Sequence, residues 1–328
     1  MSHVAGRPVA SREPEAEPHG DPAAAEAPVQ VRGLVKKFGT FHALDGVDLT
    51  VERGTVHGFL GPNGAGKSTA IRVLLGLYRA SSGTVRVLGM DPGRRPSEVT
   101  RNVSYIPGDT ALWPNLTGRQ VLDVLAGLRG RRDAAREEEL MERFSLDPTK
   151  KVRSYSTGNR KKVMLVAAFA APTDLLILDE PTSGLDPLME QIFQDCVEEA
   201  SAAGRTVLLS SHILSEVERL CTDVTIIKDG VVVESGSLAR LQHLAAVEVT
   251  VHDDDETLAR LAADLAGSGI DTRLAPGESP RGALDFPVDR ARLPVVLAKV
   301  AVAGSTDVRV ASASLEDLFL RHYEVDAR

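Results

Sequence analysis

The stretch Gly61-Pro62-Asn63-Gly64-Ala65-Gly66-Lys67-Ser68 fits the pattern GxxxxGK[ST]. It follows the strand-like segment 55–60 and precedes the helical periodicity of Ile71, Leu74, Leu75 and Leu77. In this context the backbone N–H groups of the loop converge on phosphates at the positive end of the helix. We expect Lys67 to reach the β- and γ-phosphates, Ser68 to offer a hydroxyl to Mg²⁺, and Thr69 to line the same site. A plain tight turn would need neither Lys67 nor Ser68.

A second motif ends in two adjacent carboxylates. Residues 175–178 are all apolar, and Asp179 and Glu180 follow directly. This pattern places both acids at the carboxyl end of a buried strand, where α/β sheets bind ligands. Asp179 is expected to hold Mg²⁺ through water, and Glu180 to polarise the attacking water as general base. An acidic pair at a strand end is, taken alone, most often a solvated turn.

The remaining patterns predict an α/β protein built on a parallel sheet. Strand-like runs at 175–178 and 206–209 flank an amphipathic helix around 192–200, and Asp229-Gly230 joins a hairpin. We predict a disordered tail over residues 1–28, a large domain over 29–241 with a helical subdomain at about 109–160, and a small domain over 242–328. The small domain has the order βαββαβ, which predicts a ferredoxin-like fold finished by a helix at Leu315–His322.

Composition limits the kind of partner. The 328 residues carry a formal net charge of -8, which disfavours a broad nucleic-acid footprint. The longest apolar run, 163–171, is too short to cross a bilayer, and residues 1–28 have no signal-peptide core. Cys196 and Cys221 form no CxxC pattern and indicate core thiols in a reducing compartment. We therefore expect a cytoplasmic protein that does not bind nucleic acid and that would need a partner for any role at a membrane.

The loop, the acidic pair and the segment Pro181–Asp186 resemble the nucleotide-binding domain of ABC transporters over about residues 29–241. The resemblance implies a P-loop NTPase fold that hydrolyses ATP with Mg²⁺. It also implies a homodimer of nucleotide-binding subunits, docked on a separate transmembrane permease at the cytoplasmic face of the membrane.

The same resemblance assigns further site residues. Tyr155-Ser156-Thr157-Gly158-Asn159 stands where the family signature, usually LSGGQ, is expected, so Ser156, Thr157, Gly158 and Asn159 would contact ATP bound by the opposite subunit. His212 resembles the switch histidine that contacts the γ-phosphate and orients Glu180. Phe38 matches the aromatic that stacks on adenine. Asp186 resembles the residue that couples the two sites.

One position departs from the family pattern. A glutamine is usual after the strand at 103–106, and Gly108 stands there, followed by Asp109. Glycine has no side chain to ligate Mg²⁺ or position water. Asp109 could take over, the metal could keep an extra water, or hydrolysis could be slow; we favour Asp109 or water. The basic run Arg160-Lys161-Lys162 is expected to be an ordinary solvated face, with a surface near acidic groups of a partner as the alternative.

The order of a nucleotide-binding domain followed by a small domain ending in the segment 314–320 is similar to ATPase subunits of drug export of the daunorubicin-resistance type. The expected function is therefore export of a hydrophobic drug or antibiotic through a separate permease. The alternative is an ABC-type ATPase without a transport role, such as a ribosome-associated translation factor. Such factors usually carry two nucleotide-binding domains, and this sequence has one phosphate loop. A chromosome or repair ATPase would need a long coiled coil between Lys67 and Asp179, and that segment lacks sustained heptads.

Overall fold

The computed structural model describes residues 27–244, 247–270, 272–275 and 282–312. Residues 1–26 of the predicted tail (1–28) and the whole of the predicted helix Leu315–His322 lie outside the described residues. The strands are β1 (Val29–Phe38), β2 (Phe41–Val51), β3 (Val56–Leu60), β4 (Ser82–Val87), β5 (Val103–Ile106), β6 (Leu175–Asp179), β7 (Thr206–Ser211), β8 (Asp223–Lys228), β9 (Val231–Ser237), β10 (Val247–Asp253), β11 (Arg273–Ala275), β12 (Gly282–Val288) and β13 (Asp307–Ser312). The α-helices are α1 (Lys67–Leu74), α2 (Pro96–Asn102), α3 (Gly118–Arg129), α4 (Ala134–Arg143), α5 (Thr157–Phe169), α6 (Pro187–Ala202), α7 (Leu214–Leu220), α8 (Leu238–Leu244), α9 (Asp255–Ala266) and α10 (Leu293–Ala303).

The largest sheet has six strands in the order β5-β6-β7-β3-β8-β9. Its first five strands are parallel, and β9 returns antiparallel to β8 through Asp229 and Gly230, which both have positive φ. Alternate residues of β6 enter two different apolar cores: Leu176 and Leu178 belong to one, and Leu175 and Ile177 belong to the other, on the opposite face. A strand buried on both faces needs an uninterrupted apolar run, which is why residues 175–178 have no polar side chain.

A second sheet, β2-β1-β4, is antiparallel and supplies the other wall of one core. Strands β1 and β2 form a hairpin whose last pair is Phe38 opposite Phe41, joined by Gly39 and Thr40. Because Phe38 and Phe41 are paired directly across the strands, their side chains lie on the same face at the tip of the hairpin. This tip lies near the start of α1, where the phosphate loop ends.

Helices α3 and α4 and the first residues of α5 lie within the predicted helical subdomain (about 109–160), whose bounds stay a prediction, and α5 runs on to Phe169. A reciprocal cap opens α3, because the Thr117 side chain accepts from the Gln120 N–H and the Gln120 side chain accepts from the Thr117 N–H. Glu137 of α4 is buried and ion-paired with Arg132, at 2.7 Å. The helical region is thus tied down by both an apolar core and charged contacts.

The small C-terminal unit contains the sheet β11-β12-β10-β13, in which every neighbouring pair is antiparallel. With α9 after β10 and α10 after β12, this is the order and topology of the predicted ferredoxin-like fold, which is confirmed over the described residues. Its core is separate from the other two. The boundary between residues 241 and 242 stays a prediction. No helix within the described ranges is long and apolar enough to cross a membrane.

Candidate nucleotide-hydrolysis site

The predicted phosphate loop joins the end of β3 to the first turn of α1. Gly64 and Gly66 have φ of 88° and 110°, in the left-handed region that favours glycine. A Cβ on Gly61 would lie 2.3 Å from the Ile227 carbonyl oxygen, and one on Gly66 would lie 2.8 Å from a carbonyl oxygen of β2. The glycines are therefore required both by backbone conformation and by the close approach of neighbouring strands.

A surface cavity lies at this loop. Most of the predicted phosphate-binding residues line it: Pro62, Asn63, Gly64, Gly66, Lys67, Ser68 and Thr69. Glu180 also lines it, as do Phe41 and Ala43 of β2. Gly61 and Ala65 are buried beneath the loop surface and do not line the cavity.

Lys67 is buried at the centre of the loop. Its ammonium donates to the carbonyl oxygens of Gly61 and Pro62, at 2.6 and 3.2 Å, and lies 3.6 Å from Glu180 Oε1. Burial lowers the pKa of Lys67, and the Glu180 and Asp179 carboxylates oppose that shift. The phosphate loop and the acidic pair, distant in sequence, therefore meet at the carboxyl ends of β3 and β6.

Asp179 ends β6 and is 3% exposed. The Ser210 hydroxyl donates to Asp179 Oδ1 at 2.5 Å, and Ser210 also accepts the Glu180 N–H through both its carbonyl oxygen (3.1 Å) and its hydroxyl (3.2 Å). Glu180 has φ of 46°, which is unusual for a residue with a side chain. Strain of this kind persists where surrounding contacts fix the backbone, and it is found at functional sites.

His212 follows β7, and its Nδ1 lies 3.4 Å from Glu180 Oε1. The loop that carries it is fixed by Ser211, whose hydroxyl donates to Glu216 at 2.7 Å and accepts the Ile213 N–H. Burial raises the pKa of Glu216. The Glu180 carboxylate thus lies between the Lys67 ammonium and the His212 ring.

The signature segment lies outside this cavity. Ser156 caps α5, its hydroxyl oxygen accepting the Asn159 N–H at 3.1 Å, and Ser156 and Thr157 are exposed. A Cβ on Gly158 would lie 3.1 Å from the Gly184 carbonyl oxygen. The start of α5 is thereby placed against the segment before Asp186, and within one chain it does not line the phosphate-loop cavity.

Asp186 and Phe38 both have contacts within the fold. The Asp186 carboxylate caps α6 by accepting the Met189 N–H at 3.0 Å. Phe38 is 44% exposed, and its ring meets Tyr78 edge-on at 5.4 Å, with the Lys36 ammonium 4.8 Å from the ring centroid. Phe38 does not line the phosphate-loop cavity, whereas its cross-strand partner Phe41 does.

Gly108 lies beside the acidic pair. A Cβ there would meet the Asp179 carbonyl oxygen at 3.6 Å and Asp179 Oδ2 at 3.9 Å, which is ordinary contact. The backbone at Gly108 is not in the left-handed region, so the fold does not require glycine. Asp109 is exposed. A side chain at position 108 would therefore begin against the Asp179 carboxylate.

The expectation that Arg160-Lys161-Lys162 is a solvated face is wrong for Lys161, which is 2% exposed. Its ammonium donates to the carbonyl oxygens of Pro107, Gly108 and Glu180. Sequence reasoning also missed Ser210 and Phe41. Ser210 immediately follows a predicted strand that is parallel to the one ending in Asp179, and Phe41 faces Phe38 across the hairpin. The sequence held a usable signal for these two residues but none for the burial of Lys161.

Residues 44–183 match the family model described as "ABC transporter". The chain is 40% identical over 223 residues to the daunorubicin resistance ATP-binding protein DrrA3 of Streptomyces coeruleorubidus, covering 66% of this chain and 71% of that protein. It is 36% identical over 312 residues to the daunorubicin resistance ATP-binding protein DrrA2 of the same organism, covering 89% of this chain and 94% of that protein.

Two solved structures share the fold. A structure of the ATP binding subunit of an ABC transporter has a TM-score of 0.62 and 32% identity, over 65% of this chain and 91% of that one. The dimeric post-hydrolysis state of the ATP-binding cassette MJ0796, bound to ADP and Pi, has a TM-score of 0.58 and 22% identity, over 64% of this chain and 98% of that one.

Proposed function

Since this chain belongs to the ABC transporter family as an ATP-binding ATPase subunit, we propose that it powers export of a hydrophobic drug or antibiotic through a separate permease. The observation that carries its chemistry is the position of the Glu180 carboxylate, 3.6 Å from the Lys67 ammonium and 3.4 Å from His212 Nδ1. A carboxylate, a buried cation and an imidazole meet where the carboxyl ends of β3, β6 and β7 converge.

ATP binding is assigned to the loop 61–69. The loop N–H groups and the start of α1 favour bound phosphate, and Lys67 would exchange its carbonyl contacts for phosphate oxygens. Phe38, at the hairpin tip, is proposed to stack on adenine, and Phe41 offers a second aromatic surface nearer the loop.

The donor set suits Mg²⁺, which prefers oxygen ligands and is usually held by one or two carboxylates together with substrate phosphates. The Ser68 hydroxyl and the Asp179 carboxylate would hold it, and Asp109 or water would serve where Gly108 supplies no side chain. The described residues contain no group of three or more His, Cys, Asp or Glu that could form a metal cage by themselves. When bound, Mg²⁺ would neutralise charge that develops on the phosphate oxygens.

In the proposed reaction, Glu180 takes a proton from water as the water attacks the γ-phosphorus and the bond to ADP breaks. His212 orients the Glu180 carboxylate through their contact and would donate a hydrogen bond to the γ-phosphate. Lys67 stays protonated beside the carboxylate and stabilises negative charge on the leaving phosphate.

The complete site is proposed to need two copies of the chain. Residues 156–159 stand at an exposed helix N-terminus, outside the cavity formed by their own phosphate loop. In a head-to-tail dimer this N-terminus would contact the γ-phosphate held by the partner, and Asp186 would lie between the two sites. Dimeric assembly is stated for the MJ0796 cassette, whose fold this chain shares.

The transport role is supported by the two daunorubicin resistance relatives, one of which is similar along 89% of this chain and therefore well beyond the large domain. A permease partner and a peripheral position on the cytoplasmic face of the membrane follow from this proposal. A translation-factor role is not favoured, because the sequence carries a single phosphate loop.

The test combines chemistry with phenotype. Glu180→Gln should lower ATP turnover about 100- to 10,000-fold, the range for loss of a general base. It should also accumulate an ATP-bound dimer, measured by light scattering at saturating ATP. Glu142→Gln makes the same chemical change on the exposed face of α4 and should behave as wild type. Deleting the gene should sensitise the native cell to hydrophobic antibiotics, and the Glu180→Gln gene should not restore resistance; unchanged sensitivity would refute the export role.

A further inference from the structure

Lys161 is a buried lysine whose ammonium is hydrogen-bonded to backbone carbonyls. It lies one turn beyond the start of α5, and its ammonium donates to the carbonyl oxygens of Pro107 (3.2 Å), Gly108 (3.2 Å) and Glu180 (2.9 Å). An ammonium has three N–H groups, and here each has one acceptor. The three hydrogen bonds compensate for the free energy lost when the charged ammonium is removed from water. A buried lysine without such partners would have no compensation.

The charges near Lys161 are those of the acidic pair and of Asp109. Burial lowers the pKa of the Lys161 ammonium, and the carboxylates of Asp179, Glu180 and Asp109 oppose that shift. The residue is therefore a second buried cation beside the acidic pair. Lys67 meets the Glu180 side chain, and Lys161 meets the Glu180 backbone.

The backbone of Glu180 is held on both sides. Ser210 accepts its N–H, and Lys161 donates to its carbonyl oxygen. The left-handed φ of 46° at Glu180 costs free energy, so it persists only when such contacts fix it. That φ directs the Glu180 carboxylate between Lys67 and His212.

We propose that Lys161 is a positioning residue for ATP hydrolysis, which links the Glu180 backbone to the signature helix and to the loop at 107–108. This rests on the proposed function of Glu180 as general base. Ser156 is the N-cap of α5, and Lys161 lies in the same helix. A displacement of the signature segment together with this helix therefore moves the Lys161 contact on Glu180. The loop at 107–108 is joined to the same point through its carbonyls, not through a side chain at position 108.

The test compares Lys161→Met with Lys162→Met, the same change at the next residue of α5, which is less buried. Lys161→Met should lower kcat for ATP about 10- to 100-fold, since displacing a catalytic group by about 1 Å can cost about 100-fold. The Kd for ATP should stay within about threefold, because no phosphate contact is removed. Lys162→Met should keep the wild-type kcat. Lys161→Arg, which keeps charge and N–H donors, should recover part of the loss.

A second comparison separates positioning from structural damage. In the Glu180→Gln background, Lys161→Met should change the residual turnover by less than about twofold, because its effect acts through Glu180. Independent damage would multiply with the Glu180 effect and would overturn the proposal. If Lys161→Met does not fold, Lys161→Gln takes its place; its amide keeps two N–H donors, so the loss of kcat should be smaller than for Met and should likewise disappear in the Glu180→Gln background.

The remaining outcomes are also decisive. Equal kcat in Lys161→Met and Lys162→Met would overturn the inference, as would a loss of ATP affinity matching the loss of kcat. If Glu180→Gln itself kept wild-type turnover, the proposed function would fail instead. The two failures are therefore distinguishable in one set of proteins.

Discussion

Mild acid should destabilise this protein through one buried histidine. His57 lies in β3, immediately before the phosphate loop, and its Nε2 is 2.9 Å from the Thr225 hydroxyl. Burial lowers the pKa of His57 from 6.5 to about 4, and Asp223 opposes the shift only partly. The folded protein therefore keeps His57 neutral over a pH range in which the unfolded chain protonates it.

The sign follows from proton binding. Well above pH 6.5 His57 is neutral in both states and contributes no pH dependence. Between pH 6.5 and 4 the unfolded state binds the extra proton, so the free energy of unfolding falls as pH falls. The decrease is about 2 kcal/mol at pH 5 and approaches about 3 kcal/mol below pH 4, at about 1.4 kcal/mol for each pKa unit.

The assay is urea unfolding followed by the fluorescence of Trp113, the single tryptophan, between pH 7 and 4.5. Carboxylates titrate in the same range, so the informative quantity is the difference between wild type and His57→Gln, whose amide can occupy the Nε2 position. The variant should lose about 2 kcal/mol less than wild type between pH 7 and 5. Parallel curves for the two proteins would refute the assignment of the shift to His57.

Substitutions at Gly66, Gly108 and Phe41, each with a matched control variant, test three further features of the site. Gly66→Ala should abolish ATP binding, because its Cβ would lie 2.8 Å from a backbone carbonyl oxygen of β2. The control is Gly89→Ala, at a glycine that also has positive φ but has open space around a Cβ. This control should cost only about 1–2 kcal/mol of stability in a thermal melt and leave ATP binding intact. Gly108→Gln should change kcat without lowering Tm, since a Cβ fits at this position. Gly108→Ala, the control, should retain the wild-type kcat. Equal kcat values in both variants would show that the side chain at position 108 has no part in turnover. Phe41→Ala should weaken ATP binding by roughly 1–3 kcal/mol, the range for base stacking. The binding affinity for ATP is measured by titration for this variant and for Phe38→Ala. An unchanged affinity in both variants would exclude aromatic stacking at the hairpin tip.

The sequence was informative wherever one local pattern carried the chemistry. The glycines of 61–66, the apolar run ending at Asp179 and the placement of His212 after a strand each combine a backbone requirement with a chemical group. Parallel strands then bring their carboxyl ends together, so the contact between Lys67 and Glu180 follows from topology. The βαββαβ order of the small unit was equally readable, and its sheet has the order β11-β12-β10-β13.

Lys161 shows what the sequence could not predict. Its three acceptors are backbone carbonyls, 19, 53 and 54 residues away along the chain. A carbonyl group is present at every position, so no residue type reveals where three of them converge. A basic run at the start of a helix is usually solvated, and the burial of one member depends on tertiary structure alone.

Gly108 and Lys161 indicate two separate structural links between the loop at 107–109 and the acidic pair, one through a side chain at position 108 and one through backbone carbonyls. A side chain at position 108 would act from the side of the Asp179 carboxylate, where a Cβ lies within ordinary contact. Lys161 instead joins the Gly108 carbonyl to the Glu180 carbonyl, whatever side chain position 108 carries. A backbone link of this kind can transmit a displacement of the loop to Glu180 while glycine stands at 108. If the two links are independent, the effects of Gly108→Gln and Lys161→Met on kcat should multiply in the double variant, whereas a shared link would give less than the product.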